Sequence, residues 1–278
     1  MSYISYRLDN RNQVGEVDGD SVVPLRGIDS ITAATDTTTL AAAERDEAGR
    51  TTLAGLQLLP ASPAPSKILC VGLNYRGHVQ ESKREIPTYP VLFTKFASNL
   101  ISATADIQLP PESHQVDYEG ELAIIIGKRG RRIPADRAVE HVLGYSVAND
   151  VTMRDYQYKT HQWVQGKAWD DCTPLGPTIV TPDEVDLTAA RIRTVLNGET
   201  VQDSDLSKLM FDIPRLIADI SEFTVLEPGD VILTGTPSGV GYRRDPQVFL
   251  SPGDVVSVEV EGVGQIENHV VGAAGTNA

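Results

Sequence analysis

Apolar and polar residues alternate over short runs at the start of this chain. Tyr3–Leu8, Gln13–Val17 and Ser21–Leu25 each read as a strand, and the DNRN and DGD clusters between them read as turns, so the three predict a β-meander. The period then lengthens, and an Ala-, Glu- and Arg-rich stretch over Thr39–Arg50 predicts a helix. The segment PASPAPS, with three prolines in seven residues, is stiff and extended. These features place a small N-terminal α+β domain at residues 1–60, a Pro-rich linker at 61–66 and the main domain at 67–278.

The main domain is strand-rich. Lys67–Val71 predicts a short strand running into a helical stretch that contains Asn74, His78 and Glu81. Pro90–Lys95, Asp117–Ile126 and Val142–Ala148 predict further strands, and helices are expected over Thr152–Thr160 and Lys208–Ser221. The pieces EPGDVILTG and SPGDVVSVEV each feed a β-branched strand from a Pro-Gly-Asp turn, where Pro then Gly at the centre suits type II. Strands outnumber helices, and the fold class expected is α+β built on packed sheets.

Composition narrows the partners. At 278 residues the chain can bury a substantial core, and a 41% hydrophobic fraction is that of an ordinary globular protein. A net charge of −14 argues against nucleic acid and against an anionic membrane surface, so an anionic ligand needs a local basic site. Cys70 and Cys172 have no metal-ligand spacing and read as buried thiols in a reducing compartment. The N-terminus lacks an apolar signal-peptide core, no apolar run approaches a membrane span, and a cytoplasmic location is expected.

Within VDYEGELAIIIGK, Glu119 and Glu121 stand two apart on an expected strand, hence on one face about 7 Å apart along the backbone. Such a pair can converge on a cation, or it can be an ordinary solvated face. Asp150 ends another apolar strand and adds a third carboxylate, which with no Cys or His cluster suits a hard oxygen-ligated ion, Mg²⁺ or Mn²⁺. His78 and Glu81 share a helical face, as a general base with its orienting carboxylate or as a surface ion pair. Arg154, Lys159 and Lys167, interleaved with Gln157 and Gln165, form a basic group suited to a carboxylate, Lys159 reading as solvent-facing. The loop GTPSGVG lacks the ending of a nucleotide-binding loop, and the backbone from Gly235 with the Thr236 hydroxyl suits an anion or a tight turn.

Taken in order, ILCVGLNYRGHVQE, FTKF, VDYEGELAIIIGK, GYSVANDVTMRD, KAWDDCTPLGP, LNGE and EPGDVILTGTPSGVG resemble the fumarylacetoacetate hydrolase family. The resemblance covers essentially the whole chain after the linker. It implies a mixed β-sandwich or roll with a small N-terminal domain, assembled as a homodimer. It implies Mg²⁺ or Mn²⁺ held by Glu119, Glu121 and Asp150, and a His78–Glu81 dyad on a lid. It also implies a catalytic Lys167, with Arg154, Gln157 and Thr236 contacting substrate. Gly77, where many members carry an acidic residue or Ala, weakens the lid helix by up to ~1 kcal/mol. The activity expected first is hydrolysis of a C–C bond in a 2,4-dioxo acid such as fumarylpyruvate, to pyruvate and a carboxylic acid, in aromatic-compound catabolism. The same metal–enolate chemistry serves oxaloacetate decarboxylation or 2-hydroxyhepta-2,4-diene-1,7-dioate isomerisation. A non-catalytic metal-dependent dicarboxylate binder is the reading of a different class.

Overall fold

The computed structural model describes residues 1–272, so the last residues of the 67–278 segment lie outside the described residues. In the first 180 residues the long strands are β1 (Ser2–Leu8), β2 (Arg11–Asp18), β3 (Ser21–Pro24), β4 (Ile68–Gly72), β5 (Val91–Lys95), β6 (Gly120–Ile126), β7 (Val142–Asn149) and β8 (Thr173–Val180). After them come β9 (Arg191–Leu196), β10 (Glu199–Asp205), β11 (Val231–Leu233), β12 (Val255–Val260) and β13 (Gly264–Gly272). A large mixed sheet runs β3-β2-β1-β8-β7-β6-β11-β4-β5, extended by Thr51–Thr52 beyond β3. Its neighbours along that order are antiparallel except β4 and β11, which run parallel. A second sheet runs β10-β9-β12-β13 and ends on Ile107–Leu109. The protein is a strand-rich α+β fold, as the sequence pattern implies.

The apolar run Leu122–Ile126 is buried on both faces because β6 lies between two cores. Leu122, Ile124 and Ile126 pack with Ile192 and Val258 of the second sheet and with Leu216, Ile217 and Ile220 of a helix. Ala123 and Ile125 face the other way, toward Ile68, Val231 and Leu175. Each large aliphatic side chain so enclosed contributes roughly 1.5–3 kcal/mol by leaving water. With core on both faces, β6 is a rigid base for the two glutamates at its N-terminal end.

Among the described residues five short α-helices decorate the sheets: α1 (Thr37–Ala42), α2 (Arg76–Glu81), α3 (Arg154–Gln157), α4 (Val164–Lys167) and α5 (Ile213–Phe223). Three differ from the sequence pattern for local reasons. The helix expected over Thr39–Arg50 starts at the Asp36 cap, whose carboxylate accepts from Thr39 N, and stops at Ala42. The chain then leaves to bridge Arg45 to Leu25. That expected over Thr152–Thr160 loses its start to a two-residue pairing of Thr152–Met153 with Val116–Asp117. The last begins at Ile213, because Asp212 caps Arg215 N and a proline occupies the first turn. Both Pro-Gly-Asp turns close, with Asp230 N on Glu227 O and Asp254 N on Ser251 O, each at 3.1 Å.

The first sixty residues dock on the main sheet through β1, where Tyr3 stands opposite Ile179 of β8. The proline-rich stretch lies against the protein. Ala61 and Ser62 are buried, and Ser62 Oγ donates to Gly229 O at 2.7 Å.

Candidate active site

Pairing between β6 and β7 sets Gly120 opposite Asn149 and so brings the segments before and after them together. Asn149 Oδ1 accepts Glu119 N at 2.9 Å, and Asp150 N donates to Glu119 O at 2.8 Å. Glu119, Glu121 and Asp150 are all buried, and one carboxylate oxygen of each lies within 4.8 Å of the others. Glu119 precedes the first residue of β6, yet its carboxylate still meets that of Glu121.

Three buried cations surround this acid cluster. Lys167 Nζ donates to Glu119 Oε2 at 2.8 Å and to Asp150 Oδ2 at 2.7 Å. Lys95 Nζ lies 2.9 Å from Asp150 Oδ1 and donates to the carbonyls of Val151 and Lys167. Arg154 Nη2 stands 2.7 Å from Glu119 Oε1 and 2.8 Å from Asp117 Oδ2, while its Nη1 donates to Gln157 Oε1 at 3.0 Å. Burial alone would raise the Glu119 carboxyl, but Lys167 and Arg154 outweigh it and hold it down at about 2. Burial likewise opposes the charge on Lys167 and Arg154, and the carboxylates reverse that and raise both.

Glu121 is the exception. It has no cationic partner among the described residues, and its Oε2 accepts only Gly235 N, at 2.7 Å. Burial, then Asp150 and Glu119, push its carboxyl well above the ordinary range. Counting Asp117, four buried carboxylates face Lys95, Lys167 and Arg154, so with all four ionised the cluster is one positive charge short. Hard oxygen donors converging with a charge deficit fit a hard divalent cation, and the three residues could hold one.

The helix α2 carries the second constellation. Asn74, just before it, clamps its start by donating to Thr234 O and Phe211 O and accepting Phe211 N. His78 Nδ1 lies 2.8 Å from Glu81 Oε1, and Glu81 Oε2 accepts Gly239 N at 3.0 Å. Gly239 can stand there because its φ is +105° and a Cβ would fall 2.1 Å from Val201 O. The loop from Gly235 therefore grips both the acid cluster and the dyad. Thr236 Oγ1 donates to Gly120 O at 3.0 Å and accepts from Gln202 Nε2 at 2.8 Å, which fixes the loop on β6.

A cleft of about 480 Å³, including its open mouth, joins the two constellations, and His78, Glu119, Arg154, Gln157, Lys167 and Thr236 line it. Glu121, Asp150 and Gly235 lie buried beside them. The ten residues expected from the sequence to bind metal or substrate or to act in catalysis thus fall in one region, whereas Gln165 of the basic group is exposed and does not line the cleft. Lys159 is exposed and lies 3.2 Å from the centre of the Tyr156 ring, consistent with a solvent-facing charge.

Sequence reasoning missed Lys95 and Asp117. Lys95 sits in FTKF as one polar residue of an edge strand, which usually means exposure, yet it is 1% exposed. Asp117 lies inside the glutamate motif. The signal that would have found it is the buried Arg154 needing a second acid.

Residues 67–271 match the family described as fumarylacetoacetate (FAA) hydrolase, C-terminal. The chain belongs to this family. Among relatives of the fumarylacetoacetate hydrolase family, the mitochondrial oxaloacetate tautomerase of Xenopus laevis is 46% identical over 219 residues, 78% of this chain and 69% of that protein. The human mitochondrial oxaloacetate tautomerase is 44% identical over 235 residues, 81% of this chain and 75% of that protein. Two solved structures superpose over nearly the full length of both chains. The fumarylacetoacetate hydrolase of Exiguobacterium antarcticum has a TM-score of 0.86 at 35% identity, covering 98% of this chain and 99% of its own. The 2-hydroxyhepta-2,4-diene-1,7-dioate isomerase of Mycobacterium marinum has a TM-score of 0.82 at 31% identity, covering 99% of each. This member of the fumarylacetoacetate hydrolase family is an enzyme, and the reading as a non-catalytic binder is set aside. The names of its relatives favour tautomerase and isomerase chemistry over the acylpyruvate hydrolysis expected first.

Proposed function

We propose that this enzyme moves a proton at the carbon next to the keto group of a small 2-oxo acid, interconverting keto and enol forms, with oxaloacetate as the first substrate to test. The observation that carries the reading is the His78–Glu81 pair, hydrogen-bonded at 2.8 Å and facing the cleft beside the buried carboxylates. Glu81 fixes the Nδ1 side of the imidazole, leaving Nε2 to take the proton from C3 and return it at the oxygen. Arg154 and Gln157 bind the substrate carboxylate, and Lys167 steadies negative charge as the C3 proton leaves. Glu119, Glu121 and Asp150 would hold a divalent cation, Mg²⁺ or Mn²⁺, which would supply Lewis acidity to the reaction.

Acylpyruvate hydrolysis is the second reading, and the same dyad supports it, because a base that takes a proton from carbon can take one from water. The test follows enol oxaloacetate by its ultraviolet absorbance, and pyruvate release from oxaloacetate and acetylpyruvate, each with Mg²⁺, Mn²⁺ and EDTA. Metal-dependent acceleration of enol decay without pyruvate release is the expected result. Pyruvate from acetylpyruvate, with no effect on the enol, would replace tautomerisation by hydrolysis.

A further inference from the structure

The mouth of the cleft is chemically unlike its floor. Arg84, just past the C-terminus of α2, lies over the Trp163 ring at 5.6 Å, and Trp163 packs edge-on against Phe93 at 5.7 Å. On the loop side, Arg243 lies over the Tyr242 ring at 5.1 Å, and Tyr242 packs against Tyr158 at 5.3 Å. Both arginines and all four rings line the cleft that holds His78, Arg154 and Lys167.

Neither guanidinium has a carboxylate partner among the described residues, although the chain carries a net charge of −14. The contrast is local, since the adjacent Arg244 reaches Glu199 at 3.7 Å. Arg243 does make one polar contact, donating to Ser82 O at the end of α2 at 3.4 Å, which is long and leaves most of its donors free. An aromatic face holds a guanidinium in place without neutralising it. Two pre-placed, uncompensated cations at the open end of the cleft are suited to an anion that enters with its other end already committed to the floor.

We infer that Arg84 and Arg243 form a second anion subsite, which takes the far carboxylate of a dicarboxylic 2-oxo acid. This inference rests on the proposed function for the assignment of the first carboxylate to the floor. It makes Arg84 and Arg243 specificity residues: they contact the tail of the substrate and have no part in the proton transfer. It also gives the segment after α2 a share in selection, because Arg84 stands on that segment and Arg243 reaches it through Ser82.

The test compares 2-oxoglutarate and 2-oxoadipate with their distal monomethyl esters, by calorimetric binding to the Mg²⁺-loaded protein. Each ester keeps the 2-oxo acid head and removes only the far charge. The wild-type protein is expected to prefer the diacid by about ten-fold or more, the size of one charge-assisted hydrogen bond. In the Arg84→Gln, Arg243→Gln double variant that ratio is expected to fall toward one, and Arg84→Lys with Arg243→Lys to restore part of it. Equal affinity of the wild-type protein for diacid and ester overturns the inference whether or not the variants fold. So does a ratio that survives the double Gln variant, which would leave the two arginines as mere cover for the aromatic rings. A diacid preference without turnover of any oxo acid would sink the proposed function and leave the subsite standing. Turnover without a preference would do the reverse.

Discussion

Asp117→Asn is the most exacting test of how the floor of the site is held. The substitution keeps the size of a fully buried side chain and removes its charge. Asp117 Oδ1 accepts Gly241 N at 2.8 Å and Tyr118 N at 2.9 Å, while Oδ2 accepts Arg154 Nε at 2.8 Å and Tyr242 N at 3.0 Å. An asparagine offers one acceptor and one donor. Whichever way it turns, an NH₂ group faces at least two N–H groups. Breaking a buried ion pair costs about 3–5 kcal/mol, and Arg154 keeps Glu119, which places the loss near the lower end, about 3 kcal/mol. At about 2–4 °C per kcal/mol for a chain of this size, the melting temperature should fall by about 6–12 °C. The assay is calorimetric melting at fixed pH and metal concentration, with KM and kcat measured on the same preparation. Because Arg154 is the group displaced, KM should rise more than kcat falls. A variant melting within about 2 °C of the parent, with KM unchanged, would show that Asp117 neither braces the site nor places Arg154.

Three further outcomes are expected. Gly239→Ala must shift the loop away from Val201 O and lose the bond to Glu81, so kcat should drop about ten-fold or more while circular dichroism stays the same. His78→Ala should cost about 10²–10⁴ in kcat yet retain Mg²⁺ binding by calorimetry, whereas Glu119→Ala should lose both. Cys70 and Cys172 are free and buried, and burial raises both thiols, Cys70 strongly. Neither should react with a thiol reagent at pH 8 in the native protein, and both should react in guanidinium; rapid native labelling would contradict their placement.

The sequence revealed the site better than the helices around it. Glu119, Glu121 and Asp150 are legible because an apolar run stands beside the glutamates and because the motifs that carry all three resemble those of the family; the pair alone would also suit a solvated face. Short helices such as α3 and α4 are set by tertiary contacts, which no local period encodes. Lys95 was invisible for a related reason: its ammonium is kept buried by Asp150, 55 positions further along a chain whose fold alone brings the two within 2.9 Å. The arginines of the cleft mouth carry no motif, and only the aromatic rings beneath them mark them out.

The docking of β1 on β8 has a consequence for shortened forms of the chain. β8 is flanked by β7 on one side, and on the other Thr178–Val180 pair with Ser2–Ile4. Removing residues 1–60 would strip that partner and bare a row of unpaired backbone donors and acceptors on a strand with an apolar face. Such an edge recruits strands from other molecules. The first symptom of truncation should therefore be concentration-dependent self-association through β8, with the carboxylate cluster on the far side of β7 still assembled.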